Sequence, residues 1–443
     1  MQSKFLGGHL VSTLSWRKDD VTTYVANAER SPATGLYTDA EIPLGSPIFD
    51  DSVEQSSYGL VGHVPDKWLP RGLGLSAHFV DSRNFSAGSA GVDIFNRPAP
   101  LQGGVTKEYG FSISAFEGKF YTRVNFYDSA QDWEKLTGVV PQIGDDITRV
   151  MENNTPQALA AAGWSLTDGK IFNPGTITAL GIRPINPNVP NNQTDWVADN
   201  IAGTRTNYFQ STTSTGMEVE VSYAPTSNWR IAFNLTRAEA ITSDVMPIAG
   251  PELTRVATQV YQDPKFGQLF INPSPVLQPD GTYVNTDLIR SRTDNLLSGI
   301  ALRKAREGGP LQEVRKWRWN LITNYSFKGS AWADTWLSKF SVGGAVRWQD
   351  KIAIGQGLKV VDGATIPDFD KQYFGPIETN VDTWITYNTR VLKDMALQLQ
   401  LRVRNLTSGS GDFIPVAANP DGEVALWRIG APMSFELSAR LRF

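Results

Sequence analysis

The sequence predicts an all-β protein whose strands carry one apolar and one polar face, and three observations support this prediction. The last residues, Met433 to Phe443, alternate strictly between apolar and polar side chains, and successive side chains of a strand point to opposite faces. The same alternation recurs in about a dozen segments along the chain. Aromatic residues make up 11% of the chain, yet no apolar run approaches the roughly 18 residues of a membrane-spanning helix. This combination is typical of a barrel that crosses a membrane with strands.

The first third of the chain contains six strand-like segments. The predicted strands lie at 5–17, 20–28, 56–65, 72–86, 109–115 and 120–126. Asp19-Asp20 and Pro70-Arg71-Gly72 supply turn residues between neighbours. Glu117-Gly118-Lys119 separates the last two segments, which therefore form a hairpin.

The middle of the chain places a second hairpin between two long connections. Residues 217–223 and 229–235 alternate on either side of Pro225-Thr226-Ser227-Asn228. The connections before and after this hairpin, about 133–206 and 241–313, are far longer than loops in compact domains, and loops of this length usually carry function or are disordered. The second connection contains helix-like segments at 252–261 and 296–307.

The last third repeats the scheme and completes a count of 13 strands. Its strands are predicted at 317–327, 340–348, 385–391, 397–403 and 433–443. Short and long connections alternate, as the inner turns and outer loops of membrane barrels do. The predicted fold is therefore a transmembrane antiparallel β-barrel with long extracellular loops.

Composition excludes several functional classes. The net charge of −4 argues against a nucleic-acid binder, which would show a basic surplus. The chain has no cysteine, so it has no disulfide and no thiolate chemistry. His9, His63 and His78 lie on separate segments without close partners, and no glycine pair stands in a phosphate-loop context. We therefore expect no enzyme, no cofactor and no metal site.

Several segments together resemble the C-terminal barrel of TonB-dependent outer-membrane receptors. These segments are Gly216–Arg230, Val342–Trp348, Arg404-Asn405-Leu406-Thr407 and the terminal strand to Phe443. The resemblance implies location in the cell outer membrane and a 22-stranded barrel with a plugged lumen. It also implies energised uptake of a scarce small-molecule ligand such as a ferric siderophore.

The sequence departs from this family pattern at its N-terminal side. It shows no signal peptide, no energy-coupling box and no plug domain, and its 13 strands are about nine too few. Single-chain bacterial barrels have even strand numbers, so we expect a partial barrel spanning 1–443, either a fragment or a mis-started reading frame. The implied partners are outer-membrane lipid and lipopolysaccharide, the barrel-assembly machinery and, through the absent plug, the inner-membrane energy-coupling complex.

Three sets of residues are candidates for function. Strand parity predicts that Arg318, Arg347 and Trp384 project into the lumen near the outer end. There the guanidinium groups would bind a ligand rich in carboxylates or phenolates, or would instead pair with lumen acids or with the absent plug. The same parity places Glu218 and Glu220 in the lumen and Val219 and Val221 against lipid.

A second set of residues forms a predicted extracellular basic rim, which comprises Arg303, Lys304, Arg306, Arg315 and Lys316. This rim would contact lipid phosphate or an anionic ligand, or would simply be solvated. The residues expected to carry the assembly signal are Phe435, Leu437, Leu441 and Phe443.

Two other functions remain open at this stage. A passive porin would share the barrel, but the two long connections favour a receptor, because ligand capture needs outer surface. A secreted β-sandwich enzyme or adhesin would share the strand content, but would fold without detergent. Tryptophans near strand ends, including Trp133, Trp229, Trp317 and Trp348, are expected to form aromatic girdles at the membrane interfaces.

Overall fold

The fold was analysed in a computed structural model of the 443-residue chain. The residues that the structure describes are 1–26, 44–86, 92–136, 173–179, 182–184, 196–198, 208–262, 276–277, 283–284, 297–311, 314–329, 331–361, 364–392, 395–407 and 412–442.

Most of the described chain forms one 13-stranded antiparallel sheet. Its strands are β1 (Gln2–Phe5), β2 (Leu10–Ala26), β3 (Leu44–His63), β4 (Gly74–Ser86), β5 (Gln102–Ala115), β6 (Phe120–Lys135), β9 (Phe209–Thr226), β10 (Trp229–Ser243), β13 (Trp317–Ser326), β14 (Phe340–Gln349), β17 (Glu378–Leu392), β18 (Met395–Arg404) and β21 (Ser434–Arg442). Each strand pairs with the next sheet strand along the chain. This single continuous sheet confirms the all-β class, whereas a β-sandwich is built from two separate sheets that face each other.

Smaller elements lie in the connections between sheet strands. Four two-stranded sheets pair β7 (Ile182–Pro184) with β8 (Trp196–Ala198), β11 (Val276–Leu277) with β12 (Tyr283–Val284), β15 (Ala353–Val361) with β16 (Ala364–Phe374), and β19 (Phe413–Ala418) with β20 (Val424–Ile429). The helices include α1 (Pro174–Ala179) and α2 (Ala249–Gln262), and residues 297–304 are also helical. The helix-like segments predicted near 252–261 and 296–307 are thus confirmed. No helix within the described ranges is long and apolar enough to cross a membrane.

Connection lengths alternate around the whole sheet. Counted along the chain, every second connection is short: the first (6–9), the last but one (393–394) and the four alternate ones between them contain two to thirteen residues each. The six connections that alternate with these contain fifteen to seventy-three residues. Because antiparallel neighbours reverse direction, all short connections lie at one end of the sheet and all long ones at the other. We call these the short-turn end and the long-loop end. The predicted alternation is confirmed.

The register gives the sheet one apolar and one polar face. On β9, Val219 lies opposite Val124 and Leu235, while Glu218 lies opposite Asn125 and Thr236. Directly opposed residues point to the same side of the sheet. Assigning the residues of one strand to the two faces therefore assigns those of its neighbour as well, and so on across all thirteen strands. The apolar face is solvent-accessible in this chain, with Trp16 62% and Leu437 75% exposed. A soluble protein would bury this face, whereas a membrane barrel presents it to lipid.

The most deeply buried apolar side chains lie mainly outside the central part of the sheet. They cluster at the long-loop end, where the connections fold, and include Tyr208, Phe209, Val245, Met246, Ala249, Leu253 and Ile300. The Met246 amide donates to the Phe209 carbonyl at 2.7 Å, which fastens the segment just before α2 to the start of β9. Burial raises the pKa of the Tyr208 phenol far above its usual value, so this side chain stays neutral. The long connections are therefore packed structures in their described parts.

The predicted turn at Asp19-Asp20 is wrong. Both residues lie within β2, which runs unbroken from Leu10 to Ala26, and the first turn is at 6–9 instead. Their carboxylates are bound by neighbours in the ladder: Gln55 donates to Asp19 at 3.0 Å and Ser52 donates to Asp20 at 2.7 Å. The strands continue toward the long-loop end beyond the apolar segment, and their polar continuation lacks the alternation on which the prediction depended.

The edges of the sheet are β1 and β21. Among the described pairings each has one neighbour, β2 and β18 respectively, and none joins the two edges. The described strands therefore leave an open seam between β1 and β21, as expected for a partial barrel.

Candidate functional site

The structure places Arg318, Arg347 and Trp384 on the polar face of three successive sheet strands. Arg318 lies opposite Gln349, Arg347 lies opposite Asn320, and Trp384 lies opposite Gly343. Trp384 is thus four positions from Arg347 along β14, roughly 13 Å at the rise of a strand. The three side chains share a face, and two further residues connect Arg347 with Trp384.

Asp382 is the first of these residues. Its carboxylate is 1% exposed and accepts from Arg347 at 3.2 Å, from Arg402 at 3.3 Å and from the Asn405 amide at 3.0 Å. One buried negative charge is therefore shared by two guanidinium groups, which leaves a net positive charge. Both guanidinium groups remain accessible to solvent, because the Arg347 side chain is 42% exposed and the Arg402 side chain 36%.

Arg402 is the second, and it joins the ion pair to the aromatic ring. Its guanidinium carbon lies 6.0 Å from the centre of the Trp384 ring, within the range of a cation–π interaction. The Trp384 indole donates to Asn324 at 3.1 Å, which fixes the ring's orientation. We call Arg318, Arg347, Asp382, Trp384 and Arg402 the arginine–tryptophan site.

The Trp384 ring lies flat over Gly343 of the adjacent strand. A Cβ added at Gly343 would come within 2.3 Å of the ring, closer than any real contact. The glycine therefore provides the space in which the ring packs against the sheet. A side chain at position 343 would push Trp384 away from Arg402 and Asn324.

We expect Gly343→Ala to lower the free energy of unfolding by about 1–3 kcal/mol, the usual cost of overpacking, and to change the fluorescence of Trp384. The measurement is urea unfolding in detergent, with Trp384→Phe identifying the contribution of that ring to the emission. Gly344→Ala is the matched control, because its Cβ would lie 3.4 Å from the nearest atom. Equal effects of the two substitutions would contradict the packing argument.

The site can hold an anionic group beside an aromatic surface. Guanidinium groups offer fixed pairs of N–H donors that match carboxylates and similar oxygen anions. Arg318 adds a further exposed guanidinium on the neighbouring strand and has no ion pair among the described residues. The Arg402 Nε is buried and has no hydrogen-bond partner there.

Sequence reasoning missed Asp382 and Arg402. Asp382 is the only acidic residue on the polar face in the middle of β17, and Arg402 shares the parity of the polar face on β18. Parity alone marks both as polar-face residues, but bringing them together requires the register of β17 against β18. No local pattern specifies that register.

The predicted basic rim lies at the long-loop end and divides into two parts. Arg315 pairs with Glu378, which Arg428 also contacts at 2.9 Å, and Lys316 pairs with Glu239 at 2.6 Å. Arg303, Lys304 and Arg306 lie on the helix 297–304 and the turn after it, without an ion pair in the described parts of the chain.

Arg303 is partly buried beside a second positive charge. Burial and the nearby Arg306 lower the pKa of Arg303 below its usual range. Two like charges are therefore held close together in a partly dry setting, and an anion bound there would relieve their repulsion.

A cavity of about 420 Å³ lies at the long-loop end beside Asn405. Its wall combines polar groups with one aromatic ring and includes Glu378, Asn405, Thr407, Asp412, Phe413 and Arg428. Asn405 also donates its amide to Asp382. The cavity is thus adjacent to the arginine–tryptophan site.

The remaining candidates take the following positions. Phe435, Leu437 and Leu441 lie on the apolar face of β21 and are exposed, while Phe443 lies outside the described residues.

The His78 side chain contacts that of Asn125 at 2.9 Å, and no group of three or more metal-ligating side chains occurs in the described ranges. Trp133 lies at a bulge of β6 against Phe209, with ring centres 5.9 Å apart. This places Trp133 at the long-loop end of β6, where its ring packs against Phe209.

No family model and no curated protein sequence matches the chain. Solved structures that it resembles include the ferripyoverdine receptor of the outer membrane of Pseudomonas aeruginosa, at 14% identity and a TM-score of 0.46, covering 98% of this chain and 36% of that one. The ferric preacinetobactin receptor of Acinetobacter baumannii gives 11% identity and a TM-score of 0.47, with coverage of 99% and 41%. The ferric-catecholate import receptor of Escherichia coli K12 gives 13% identity and a TM-score of 0.42, and the match covers 97% of this chain and 42% of that one.

The chain therefore spans less than half the length of these solved structures.

Proposed function

We propose that the chain is part of the barrel of an outer-membrane receptor that takes up a scarce anionic ligand of the ferric-siderophore type. The observation that carries this proposal is the two-faced sheet, whose long connections all lie at one end and pack into structures of their own. The polar face would line the lumen, the apolar face would contact lipid, and the long-loop end would face outward.

The dimensions of the apolar face support a membrane location. On β9 this face runs from Met217 to Tyr223, seven residues or roughly 20 Å at the rise of a strand. Aromatic residues flank the band, with Trp229 and Tyr325 packed edge to face near the short-turn end and Trp319 stacked on Trp348 toward the other end. Outer-membrane barrels show an apolar band about 25 Å tall between such aromatic girdles.

The long-loop end supports a receptor rather than a simple pore. Buried side chains and four two-stranded sheets organise the described parts of its connections, and a cavity of ligand size lies among them. Ligand-binding sites are concave and combine apolar walls with a few polar groups. The arginine–tryptophan site lies directly below, so an anion captured outside would meet unsatisfied guanidinium groups on entering the lumen.

The chemistry of the site supports a ligand with carboxylate, catecholate or hydroxamate oxygens. Arginine stays charged at every physiological pH and binds such oxygens through paired N–H groups. Trp384 offers a flat surface to an aromatic or chelate ring. Energised transport, a plug and the energy-coupling partner belong to the longer protein that this proposal implies.

We expect Arg318→Gln, tested in the full-length parent protein, to weaken binding of a ferric siderophore about tenfold or more, because a hydrogen bond to a charged group is worth roughly 1.5–3 kcal/mol. Binding would be measured by quenching of tryptophan fluorescence with a panel of ferric catecholates and hydroxamates. Lys4→Gln is the matched control, since Lys4 lies on the same face of the distant β1. Binding within twofold of the parent would remove Arg318 from the site.

Location is tested separately from binding. Membrane fractionation of cells that express the parent protein should place it in the outer-membrane fraction, with heat-dependent migration in gels. Recovery as a detergent-independent soluble monomer would overturn the membrane proposal itself.

A further inference from the structure

A cavity of about 430 Å³ lies on the apolar face of the sheet at the short-turn end. Ala77 lies opposite Gly62 on one side and Phe111 on the other, so these three positions share the apolar face. The Val64 amide continues the same ladder by donating to the Leu75 carbonyl at 2.9 Å. We call this cavity the apolar groove; its lining includes Gly62, Val64, Trp68, Leu75, Ala77 and Phe111.

Two small residues open the groove between two large ones. Across the strands, the opposed residues follow in the order Leu10, Gly62, Ala77 and Phe111. At a strand spacing of about 4.8 Å, the backbone positions of Leu10 and Phe111 are roughly 14 Å apart. No atom lies within 4 Å of the position that a Cβ on Gly62 would occupy. The space above the glycine is therefore free for an apolar chain.

The turn between β3 and β4 places a tryptophan and two cations beside the groove. Trp68 lines the groove and is 71% exposed, and the Lys67 amine lies 5.9 Å from the centre of its ring. Arg71 lies four positions after Lys67 in the same ten-residue turn. Indole rings are stable where hydrocarbon meets water, so Trp68 marks the boundary between the apolar groove and the charged turn.

The two cations of this turn are not neutralised by its acids. Lys67 and Arg71 are exposed and have no ion pair in the described structure, which includes every residue of this turn and of the turns 6–9 and 116–119 on either side. The acids of these three turns are Asp66 and Glu117, and neither of them pairs with either cation. Two positive charges therefore remain at the rim of the groove.

We propose that the apolar groove binds one acyl chain of an anionic glycerophospholipid, whose headgroup phosphate is bound by Lys67 and Arg71. This inference rests on the proposed membrane location, in which the apolar face contacts lipid and the short-turn end lies at the inner leaflet. Lipid tails are as apolar as the groove, so the packing of one chain fixes its position. The cations supply the preference for an anionic headgroup, because basic side chains at a membrane surface attract anionic lipids.

The position of the groove favours a lipid over other occupants. It lies on β3, β4 and β5, each of which is paired on both sides, so further strands joined at the edges of the sheet would leave it unchanged. It opens on the face opposite the polar face, and a plug inside the lumen would not reach it. An apolar groove with charges at one end matches a molecule that has a hydrocarbon chain and a phosphate, since binding sites combine apolar walls with a few placed polar groups.

The first experiment titrates the full-length parent protein in detergent with dioleoyl phosphatidylglycerol and counts bound lipids by native mass spectrometry. We expect Gly62→Leu to weaken the tightest binding step about fivefold or more, because the leucine occupies the groove and the acyl chain loses its packing contacts there. Gly103→Leu is the matched control. Gly103 shares the apolar face of β5, lies toward the long-loop end and also has no atom within 4 Å of its Cβ position. Equal affinities of the two variants would overturn the proposal.

The second experiment removes the charges and leaves the groove intact, so it does not depend on the folding of the first variant. Changing both Lys67→Gln and Arg71→Gln should lower the preference for phosphatidylglycerol over dioleoyl phosphatidylcholine about tenfold or more, since each cation near a membrane surface contributes about fivefold. The matched control changes Lys328→Gln and Lys339→Gln, two exposed lysines in the short turn between β13 and β14. Equal binding of the two lipids by the parent protein would contradict headgroup recognition and overturn the proposal.

Competition and location complete the test. Displacement of phosphatidylglycerol by an equal concentration of glycerol phosphate would show an anion site that binds no chain, and would overturn the inference. Unchanged lipid binding by Gly62→Leu in a protein recovered from the outer membrane would overturn this inference alone and leave the receptor proposal standing. Recovery of the parent protein as a soluble monomer would overturn both.

Discussion

Replacing Asp382 by asparagine is expected to lower the free energy of unfolding by about 2–4 kcal/mol. The substitution removes the charge that two guanidinium groups share, and leaves Arg347 and Arg402 in mutual repulsion. Breaking a fully buried ion pair from one side costs about 3–5 kcal/mol, and we expect less here because both arginines are partly exposed. The measurement is equilibrium unfolding in urea, with the chain folded into detergent or lipid vesicles.

The matched control for this substitution is Glu436→Gln. Glu436 pairs with Arg404 at 2.7 Å, and both side chains are about half exposed. Exposed pairs of this kind contribute roughly 0–1 kcal/mol. If the two substitutions cost the same, Asp382 does not have the central position that its burial and its three contacts indicate.

A charge placed on the apolar face of β9 is expected to lower the free energy of unfolding by about as much as the loss of the Asp382 charge. Val219→Arg would put a guanidinium near the middle of the apolar band, opposite Val124 and Leu235. In lipid bilayers a lipid-facing arginine at this depth costs roughly 2–4 kcal/mol. The measurement is unfolding from vesicles, compared with the same variant in detergent, where the cost should be smaller because a micelle adapts its shape.

The preceding residue provides the control, because it lies on the other face. Glu218→Arg would place the same side chain among Asn125 and Thr236, where a charge is solvated, so we expect a change within about 1 kcal/mol. A larger cost at 218 than at 219 would show that the two faces have been assigned the wrong way round.

Asp382 also connects the polar face with the long-loop end. Its carboxylate accepts the Asn405 amide, and the Leu406 amide donates to the Val381 carbonyl at 2.8 Å. Both bonds hold the start of the connection that leads to β19 and β20. An anion that draws Arg347 or Arg402 away from Asp382 would therefore weaken the anchor of this outer hairpin, which physically links the site to the loops above it.

The sequence by itself determined which side chains share a face of each strand. Alternation is a local property of an extended backbone, so Val219 and Glu218, or Trp384 and Ile385, could be assigned to opposite faces without any knowledge of their neighbours. The hairpins about 116–119 and 227–228 were equally readable, because turn residues separate two alternating segments there. Long polar continuations such as Asp19-Asp20 were misread, because nothing in their local pattern distinguishes a strand beyond the apolar band from a turn.

The tertiary structure alone decided how residues on different strands meet. Asp382 lies between Arg347 and Arg402 because β17 pairs with β14 and β18 in one particular register, and a register shifted by two residues would preserve every face while separating all three. Register is set by the sum of many cross-strand contacts and by turn lengths, so no single segment of the sequence contains it.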